Sequence, residues 1–520
     1  MTDRTLTIRF TSDTHGYLSP TNYADRADRP RGLMKLASDY PHDGDTLILD
    51  GGDTIQGSPM ATFYHRLSRE EQQHCLENDT HGANPFAAMM NLAGVQYVTL
   101  GNHDFNNGLD ALADYLDDLN AICLCANIRD KEGRLPIAPY AIHQLENGLR
   151  VGLVGACTHY VTRWEKVATT AQLIIEDPVE AAARALEAIR DQCDVTVLLY
   201  HGGFECDLTT GALLTDSTEN QACRICSELD FDVVLTGHQH MRVDGVRYAN
   251  SYAVQPAYRA PHACAVTVTV RADGSKAITS ELLSAQGEPL PEAARLLAPL
   301  ESRVQAWLDA PAGRVDRPLD AGDPLERALR GCDLANFINT VLREVSGAQV
   351  SCCALGNEIK GLPREVTVRD IVSAYIYSNT LLVLNLSGAT LRRFIERTAA
   401  YFALDGEGHA CVSDEFLRPK VQHYNYEHFF GVDYVIDIRR PVGERVVSLR
   451  LDGREVSDEE KVSVCVSSYR ACGTGGYDML LGQEVVRDVQ EDVAEMLIRY
   501  ILEHPDIRVD THRYLTVLGA

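Results

Sequence analysis

The sequence predicts an α/β (α+β) protein of two domains, on three observations. Five apolar, β-branched-rich runs end in polar side chains, helical or loop segments separate most of them, and a fresh α/β alternation starts at Leu325. The chain of 520 residues also exceeds the size at which one hydrophobic core keeps growing.

In chain order, LTIRFTS reads as a strand running into Asp13-Thr14-His15-Gly16. A helix near residues 32–39 leads to TLILDGGDT, a strand ending at Gly51, Gly52 and Asp53. Helical and loop sequence over residues 60–91 precedes YVTLGNHDFNNG, an apolar run that breaks at Gly101 into Asn102, His103 and Asp104. After RVGLVG and a helix near residues 178–190, VTVLLY ends in His201-Gly202-Gly203 and FDVVLTG ends in His238-Gln239-His240. A strand fixes direction and a glycine permits a sharp exit, so each end delivers side chains to a defined place. Open α/β sheets set their ligands beyond the carboxyl edge of the strands in this way.

One such end, alone, reads equally well as a turn with a surface histidine. Of 17 histidines, however, five (His15, His103, His201, His238 and His240) follow apolar runs directly, and the other twelve do not. Imidazole and carboxylate together suit borderline divalent ions, Mn²⁺ or Zn²⁺ foremost, with Co²⁺, Fe²⁺ or Ni²⁺ as further candidates, whereas Mg²⁺ and Ca²⁺ favour all-oxygen sets. Two ions about 3.5–4 Å apart share a carboxylate and can share a water whose lowered pKa makes it a hydroxide near neutral pH.

Composition narrows the partners. With 74 acidic and 48 basic residues the formal net charge is −26, which opposes nonspecific attraction to nucleic acid or an anionic membrane. An anionic small-molecule substrate therefore needs a local positive centre, which metal ions would supply. The N-terminal sequence has no basic and apolar leader pattern, and no run approaches the roughly 18 apolar residues of a membrane span, so a cytoplasmic location is expected. Fifteen scattered cysteines, including Cys223-x-x-Cys226 and Cys123-x-Cys125, lack a disulfide or zinc-finger rhythm and read as buried thiols.

The ordered series Asp13-x-His15, Gly52-Asp53, Gly101-Asn102-His103-Asp104, His201 and Gly237-His238-x-His240 resembles the complete metallophosphoesterase signature. With a second domain after it, the chain is similar to the bifunctional 5′-nucleotidase and 2′,3′-cyclic-nucleotide 2′-phosphodiesterase/3′-nucleotidase family. The resemblance implies an N-terminal four-layer αββα sandwich and a C-terminal α/β domain of the 5′-nucleotidase type that binds substrate. It implies one metal held by Asp13, His15, Asp53 and His240. A second would be held by Asp53, Asn102, His201 and His238, with Asp53 as the bridge. His103, left without a metal, would face the phosphoryl oxygen or the leaving group. Secreted 5′-nucleotidases carry an aspartate three residues after that histidine, where this chain has Asn106, and GNHDFNNGLDAL looks more like the cyclic-phosphodiesterase branch. Asparagine orients an imidazole but adds no charge. Asp104 reads either as a catalytic acid beside His103 or as a helix cap.

The expected domains are residues 1–290, 291–324 and 325–520. The middle segment combines one long helix, PEAARLLAPLESRVQAWLDA, with the Pro/Gly/Asp-rich connector PAGRVDRPLDAGDP. In the third, a helix is expected over VTVRDIVSAYIYSNTL. Tyr377-Ser378-Asn379 and Tyr469, followed by Gly473-Thr474-Gly475-Gly476-Tyr477, suggest nucleotide binding, although the glycine run is no Walker motif. Two tyrosines can sandwich a base, at roughly 1–3 kcal/mol per stacked base. By resemblance Tyr377, Asn379 and Tyr469 contact the base, and Lys360 contacts substrate together with Asn357 of the same turn. HFFGVDYVIDIRRPVGERV also resembles that branch. The expected activity is two-metal release of phosphate from nucleotides by a metal-bridging hydroxide, with cleavage of 2′,3′-cyclic nucleotides in addition, and with hinge motion about the linker. The alternatives are an esterase of the same scaffold acting on a nucleotide sugar or a thiosulfate ester, and a non-catalytic nucleotide-binding protein.

Overall fold

The computed structural model describes residues 2–76, 84–214, 218–377, 379–418, 420–489, 491, 493–504 and 506–519. They fall into two compact units, Met1–Gln305 and Ala306–Ala520.

In the first unit a seven-stranded sheet runs in the order Lys276–Ser284, His262–Val270, Arg4–Thr11, Thr46–Asp50, Tyr97–Val98, Ile122–Leu124 and Ile137–Ala138. A six-stranded sheet runs Arg242–Tyr248, Ser251–Pro256, Val233–Thr236, Val195–His201, Arg150–Cys157 and Tyr140–Gln144. Arg4–Thr11, Thr46–Asp50 and Tyr97–Val98 are parallel neighbours, as are Arg150–Cys157, Val195–His201 and Val233–Thr236. Each group therefore ends at one edge of its sheet.

Period-two alternation builds the layers. Val195, Val197 and Leu199 join Leu6, Ile8, Phe10, Leu47 and Leu49 in a core between the two sheets. The intervening Leu198 and Tyr200 face outward onto Val179, Ala182 and Leu186 of the helix Pro178–Ile189. That helix starts where Asp177 accepts from the Val179 and Glu180 N–H groups and Pro178 presets the first turn. Burying each large aliphatic side chain contributes about 1.5–3 kcal/mol. Because the inner faces are taken by the opposite sheet, helices joining parallel strands, such as Pro85–Leu92 and Leu109–Asp118, take an outer side. This is the expected pair of β layers between helical layers.

In the second unit a five-stranded sheet runs Glu427–Phe430, Val350–Ala354, Lys461–Ser467, Leu381–Ser387 and Glu484–Val489. Two expectations change here. Residues 311–315, read as connector, form the strand Pro311–Val315 between Glu365–Thr367 and Asp506–Ile507, with Ala312 and Val315 buried. Proline at the first position of a strand removes no needed donor, so the proline signal misled. The helix expected over residues 366–381 stops at Ala374, after a capping box of Thr367 and Asp370, and Tyr375 is already extended. Ser378 lies outside the described residues.

The long helix after residue 290 spans Pro291–Leu308. Among the described residues no helix is long and apolar enough to cross a membrane. All fifteen cysteines are free thiols, eleven of them buried.

Candidate functional site

The carboxyl ends of the two parallel groups meet. His201, the last residue of its strand, donates from Nδ1 to Gly51 O at 2.7 Å, which ties the second sheet to the first. Gly52 and Gly101 make the approach possible: a Cβ on Gly52 would lie 2.2 Å from the Gly101 nitrogen, and one on Gly101 would lie 2.1 Å from Asp53 Oδ1.

Around this junction stand Asp13, His15, Asp53, Asn102, His201, His238 and His240. His15 Nε2 is 3.0 Å from His240 Nε2 and 3.8 Å from Asp53 Oδ2, and His240 Nε2 is 3.5 Å from Asp13 Oδ1. On the other side of Asp53, His201 Nε2 is 3.2 Å from Oδ2 and 3.2 Å from Asn102 Oδ1, which is 2.8 Å from His238 Nδ1. The ligand atoms of Asp13, His15 and His240 all lie within 4.8 Å of one another, as do those of Asp13, Asp53 and His201. Donors bound at about 2.0–2.1 Å to one tetrahedral ion sit roughly 3–3.5 Å apart.

Three observations fit this donor set to cations. Asp53 Oδ2 is buried without a hydrogen-bond partner, at the point where the two groups of imidazoles meet. The outward nitrogens are held by acceptors: His15 Nδ1 meets Gln56 O at 3.1 Å, His201 Nδ1 meets Gly51 O, and His238 Nε2 meets Glu219 Oε1 at 2.9 Å. Those bonds turn the opposite, lone-pair-bearing nitrogens inward, as in metal-ligating histidines. Finally, Asp13, His15, Asp53, His238 and His240 all have φ between 48° and 69°, and they make up five of the eleven non-glycine residues with positive φ among the described residues. Such backbone costs of order 1–3 kcal/mol per residue, and it clusters where side-chain placement decides function.

The charges agree. Burial pushes the Asp13 carboxyl up, but the His240 hydrogen bond and the charges of His201 and His240 outweigh it, leaving it at about 2. Burial likewise pushes His201 down, while Asp53 and Asp13 hold it up at about 10. Two buried carboxylates thus demand positive charge at this spot.

His103 stands beside the set, edge-on to His15 with ring centroids 5.5 Å apart. Its backbone N–H donates to Asp53 Oδ1 at 2.7 Å and its Nδ1 meets Asn106 Oδ1 at 2.9 Å. Asp104, open in sequence to an acid or a capping role, is held among backbone groups. It is 2% exposed, and its carboxylate accepts from the backbone N–H groups of Gly101, Asp53, Thr54 and Ile55 at 2.8–3.2 Å. Both oxygens take part in pinning the Asp53 loop to the His103 turn.

Sequence reading missed Glu219, Glu165, Trp164 and Tyr258. Tyr258 stacks on His240 at 4.4 Å and 6°, and Trp164 lies 5.3 Å from the His238 ring at 31°. Tyr258 follows the strand Ser251–Pro256, which the sequence reading did not single out, and the other three lie in no strand-end motif. Trp164 is one of two tryptophans, the other being Trp307. In a Trp307→Phe variant stripped by chelator, adding Co²⁺ or Mn²⁺ is expected to quench indole emission, because either paramagnetic ion would sit within a ring's width of Trp164 through His238. Fluorescence titration checks this, and saturation without any change in emission would contradict it.

In the second unit, register brings the proposed base contacts to one sheet edge. Leu381 pairs with Ser467, so Tyr377 and Asn379 enter beside the point where Tyr469 leaves. Ser468 N donates to Thr380 O at 2.8 Å. Val350–Ala354 runs parallel to Lys461–Ser467 and carries Asn357 and Lys360 beyond the same edge. Asn357 Nδ2 donates to Val421 O at 2.8 Å, while its Oδ1 is buried without a hydrogen-bond partner. Tyr377 packs edge-on against Tyr375, and Asn379 Nδ2 reaches the Tyr375 hydroxyl at 3.4 Å. The glycine run has a packing explanation instead: Gly475 and Gly476 sit where a Cβ would come 2.6 Å from Arg470 Nη1 and Arg397 Nε.

Comparison with known proteins agrees with this division. Residues 6–242 match the calcineurin-like phosphoesterase family, and residues 311–482 match the 5′-nucleotidase C-terminal domain. A Staphylococcus aureus protein named as a 5′-nucleotidase, solved in complex with alpha-ketoglutarate, superposes with a TM-score of 0.87 at 30% identity, over 99% of this chain and 100% of that one. The 2′,3′-cyclic-nucleotide 2′-phosphodiesterase/3′-nucleotidase of Salmonella typhimurium is 23% identical over 90% of this chain and 81% of its own length. The trifunctional nucleotide phosphoesterase of Bacillus subtilis is 22% identical over 96% of this chain, which spans only 38% of that protein.

Proposed function

The chain belongs to the calcineurin-like phosphoesterase family, in the form that carries a 5′-nucleotidase C-terminal domain, and as a hydrolase of that family we propose that it releases phosphate from nucleotides at a two-metal centre. The observation that carries this reading is the buried, unpartnered Asp53 Oδ2 between His15 and His201, since a carboxylate in that position suits a bridge between two cations. Asp13, His15, Asp53 and His240 would hold one divalent ion, and Asp53, Asn102, His201 and His238 the other, with Mn²⁺ or Zn²⁺ matching the mixed nitrogen and oxygen donors. Such ions supply Lewis acidity toward the phosphoryl oxygens and lower the pKa of a nearby water.

The chain's own residues do the rest. Asp104 and the two close-set glycines hold the loops that carry Asp53 and Asn102. His103 carries no metal role and is free to give a proton to the leaving oxygen as the P–O bond breaks. Tyr377, Asn379 and Tyr469, with Asn357 and Lys360 beside them, would hold the nucleoside. The likeness of GNHDFNNGLDAL, with Asn106 where an aspartate stands in secreted 5′-nucleotidases, to the cyclic-phosphodiesterase branch supports 3′-nucleotides and 2′,3′-cyclic nucleotides as substrates, those named for the Salmonella relative.

Phosphate release from 2′-, 3′- and 5′-AMP and from 2′,3′-cyclic AMP, measured after chelation with Mn²⁺, Zn²⁺, Co²⁺ or Ni²⁺ restored one at a time, tests the reading. Turnover of a nucleotide with at least one metal, and none in chelator, is the expected result. No release from any nucleotide with any metal would overturn it.

A further inference from the structure

Behind His103 stand two side chains that the reaction as described leaves unused. Asn106 Oδ1 faces His103 Nδ1 at 2.9 Å, and Asn106 Nδ2 donates to Glu165 Oε1. Glu165 is 9% exposed and closes the short helix Val161–Trp164, its N–H donating to Val161 O at 3.0 Å. Burial raises the Glu165 carboxyl from its usual range, against the opposing Asn106 hydrogen bond and the nearby His103 and Lys166.

Donor and acceptor roles then follow in order. A carboxylate only accepts, so the amide NH₂ of Asn106 must face Glu165 and its carbonyl must face His103. A carbonyl only accepts, so His103 Nδ1 must carry a hydrogen. An asparagine alone could flip and present its NH₂ to Nδ1, which would force the opposite tautomer.

We propose that Glu165, acting through Asn106, is a positioning residue that holds the His103 imidazolium with its Nδ1–H on the Asn106 carbonyl and its Nε2–H toward the leaving oxygen. The three side chains form a relay in which a neutral amide stands between the imidazole and its carboxylate. In the step it supports, a water-derived oxygen bonds to phosphorus as the bond to the leaving oxygen breaks, the electron pair of that bond stays on the nucleoside oxygen, and that oxygen takes the Nε2 proton, which leaves His103 neutral with its Nδ1–H still on the Asn106 carbonyl. The inference rests on the assignment of His103 to the leaving group made above.

The test compares a nucleotide, whose leaving alkoxide needs a proton, with p-nitrophenyl phosphate, whose leaving phenolate does not. Glu165→Leu removes the acceptor at similar volume, and kcat for the nucleotide is expected to fall about 10- to 100-fold, the range for partners that orient a working imidazole. KM, metal content and turnover of p-nitrophenyl phosphate are expected to stay within about twofold of the parent. Adding Asn106→Asp to Glu165→Leu puts a carboxylate directly on Nδ1 and is expected to restore nucleotide turnover. Should Glu165→Leu fail to fold, Asn106→Ala in the half-exposed turn breaks the same relay and is expected to show the same leaving-group-selective loss. Unchanged nucleotide turnover, or an equal loss on both substrates, would overturn the relay. His103→Ala separates the two levels: if it leaves nucleotide turnover intact the assignment of His103 itself fails, and if it slows turnover while Glu165→Leu and Asn106→Ala do not, only the relay fails.

Discussion

Asp53→Asn is expected to lower nucleotide turnover by more than about 10³-fold, beyond the roughly 10- to 100-fold that outer partners of metal ligands cost and at or above the roughly 10²–10³ of a single lost oxyanion donor. Asparagine is the right probe because it changes charge and little else. Its carbonyl can still accept the His103 N–H that Asp53 Oδ1 accepts at 2.7 Å, and asparagine tolerates the left-handed backbone, φ 56°, that this position requires. What it loses is the second anionic oxygen, the unpartnered Oδ2 between His15 and His201. Metal analysis of the purified variant is expected to show fewer than two ions per chain where the parent holds two. Its melting temperature in chelator is expected to fall below that of the parent, since the buried charge that Asp53 sets against His201 is gone. A variant that keeps both ions and turnover within tenfold would remove the bridge from the mechanism.

The relation between sequence and structure is uneven, and Asp53 shows why. Its place was legible because the strand, the glycine pair and the proposed ligand are consecutive: TLILDGGDT fixes its direction within nine residues. The same holds for Asp13, His201 and His238, each set by the strand immediately before it, whereas the pair of sheets was legible only through the family resemblance. Glu165 and Glu219 were not legible, because they reach Asn106 and His238 from segments without periodicity, 59 and 19 residues away in sequence. Asp104 was visible but ambiguous. An Asp at the start of a helical turn caps or catalyses equally well until the N–H groups of residues 53–55, some 50 residues earlier, are seen to occupy its oxygens. In the second unit the reason for the glycine run was not legible either, since Gly475 and Gly476 make room for guanidinium groups of Arg470 and Arg397 that lie elsewhere in the sequence pattern.

One of those guanidinium groups carries the largest stability effect. Arg470→Met is expected to destabilise the Ala306–Ala520 unit by about 3–5 kcal/mol, the cost of breaking a buried ion pair from one side. Arg470 is 1% exposed and is the largest fully buried side chain of the chain's described residues. Its Nε donates to Glu427 Oε1 at 2.7 Å, Nη1 donates to Asn425 Oδ1 at 3.2 Å and Thr474 O at 2.6 Å, and Nη2 donates to Tyr424 O at 3.1 Å. Its plane also lies 4.2 Å from the Tyr477 ring centroid. Burial pulls Arg470 down, but the Glu427 and tyrosine partners outweigh it and hold it above the ordinary arginine range. With methionine in place, Glu427 is left charged and buried at 2% exposure, and two carbonyls and an amide lose their donor. Arg470→Met/Glu427→Leu removes both charges and is expected to recover more than half of the loss, because an apolar pair of similar volume does not have to be desolvated. Denaturant titration gives the energies. Hydrogen exchange locates them, with faster exchange expected over residues 424–430 and 468–480 in the single variant alone. The short helix Ser468–Ala471 also carries Tyr469, the proposed base contact, so in the single variant the nucleotide KM is expected to rise while turnover of p-nitrophenyl phosphate, which has no base to hold, stays near the parent. Equal losses on both substrates would mean that Arg470 supports the unit as a whole and has no particular share in presenting the base contact.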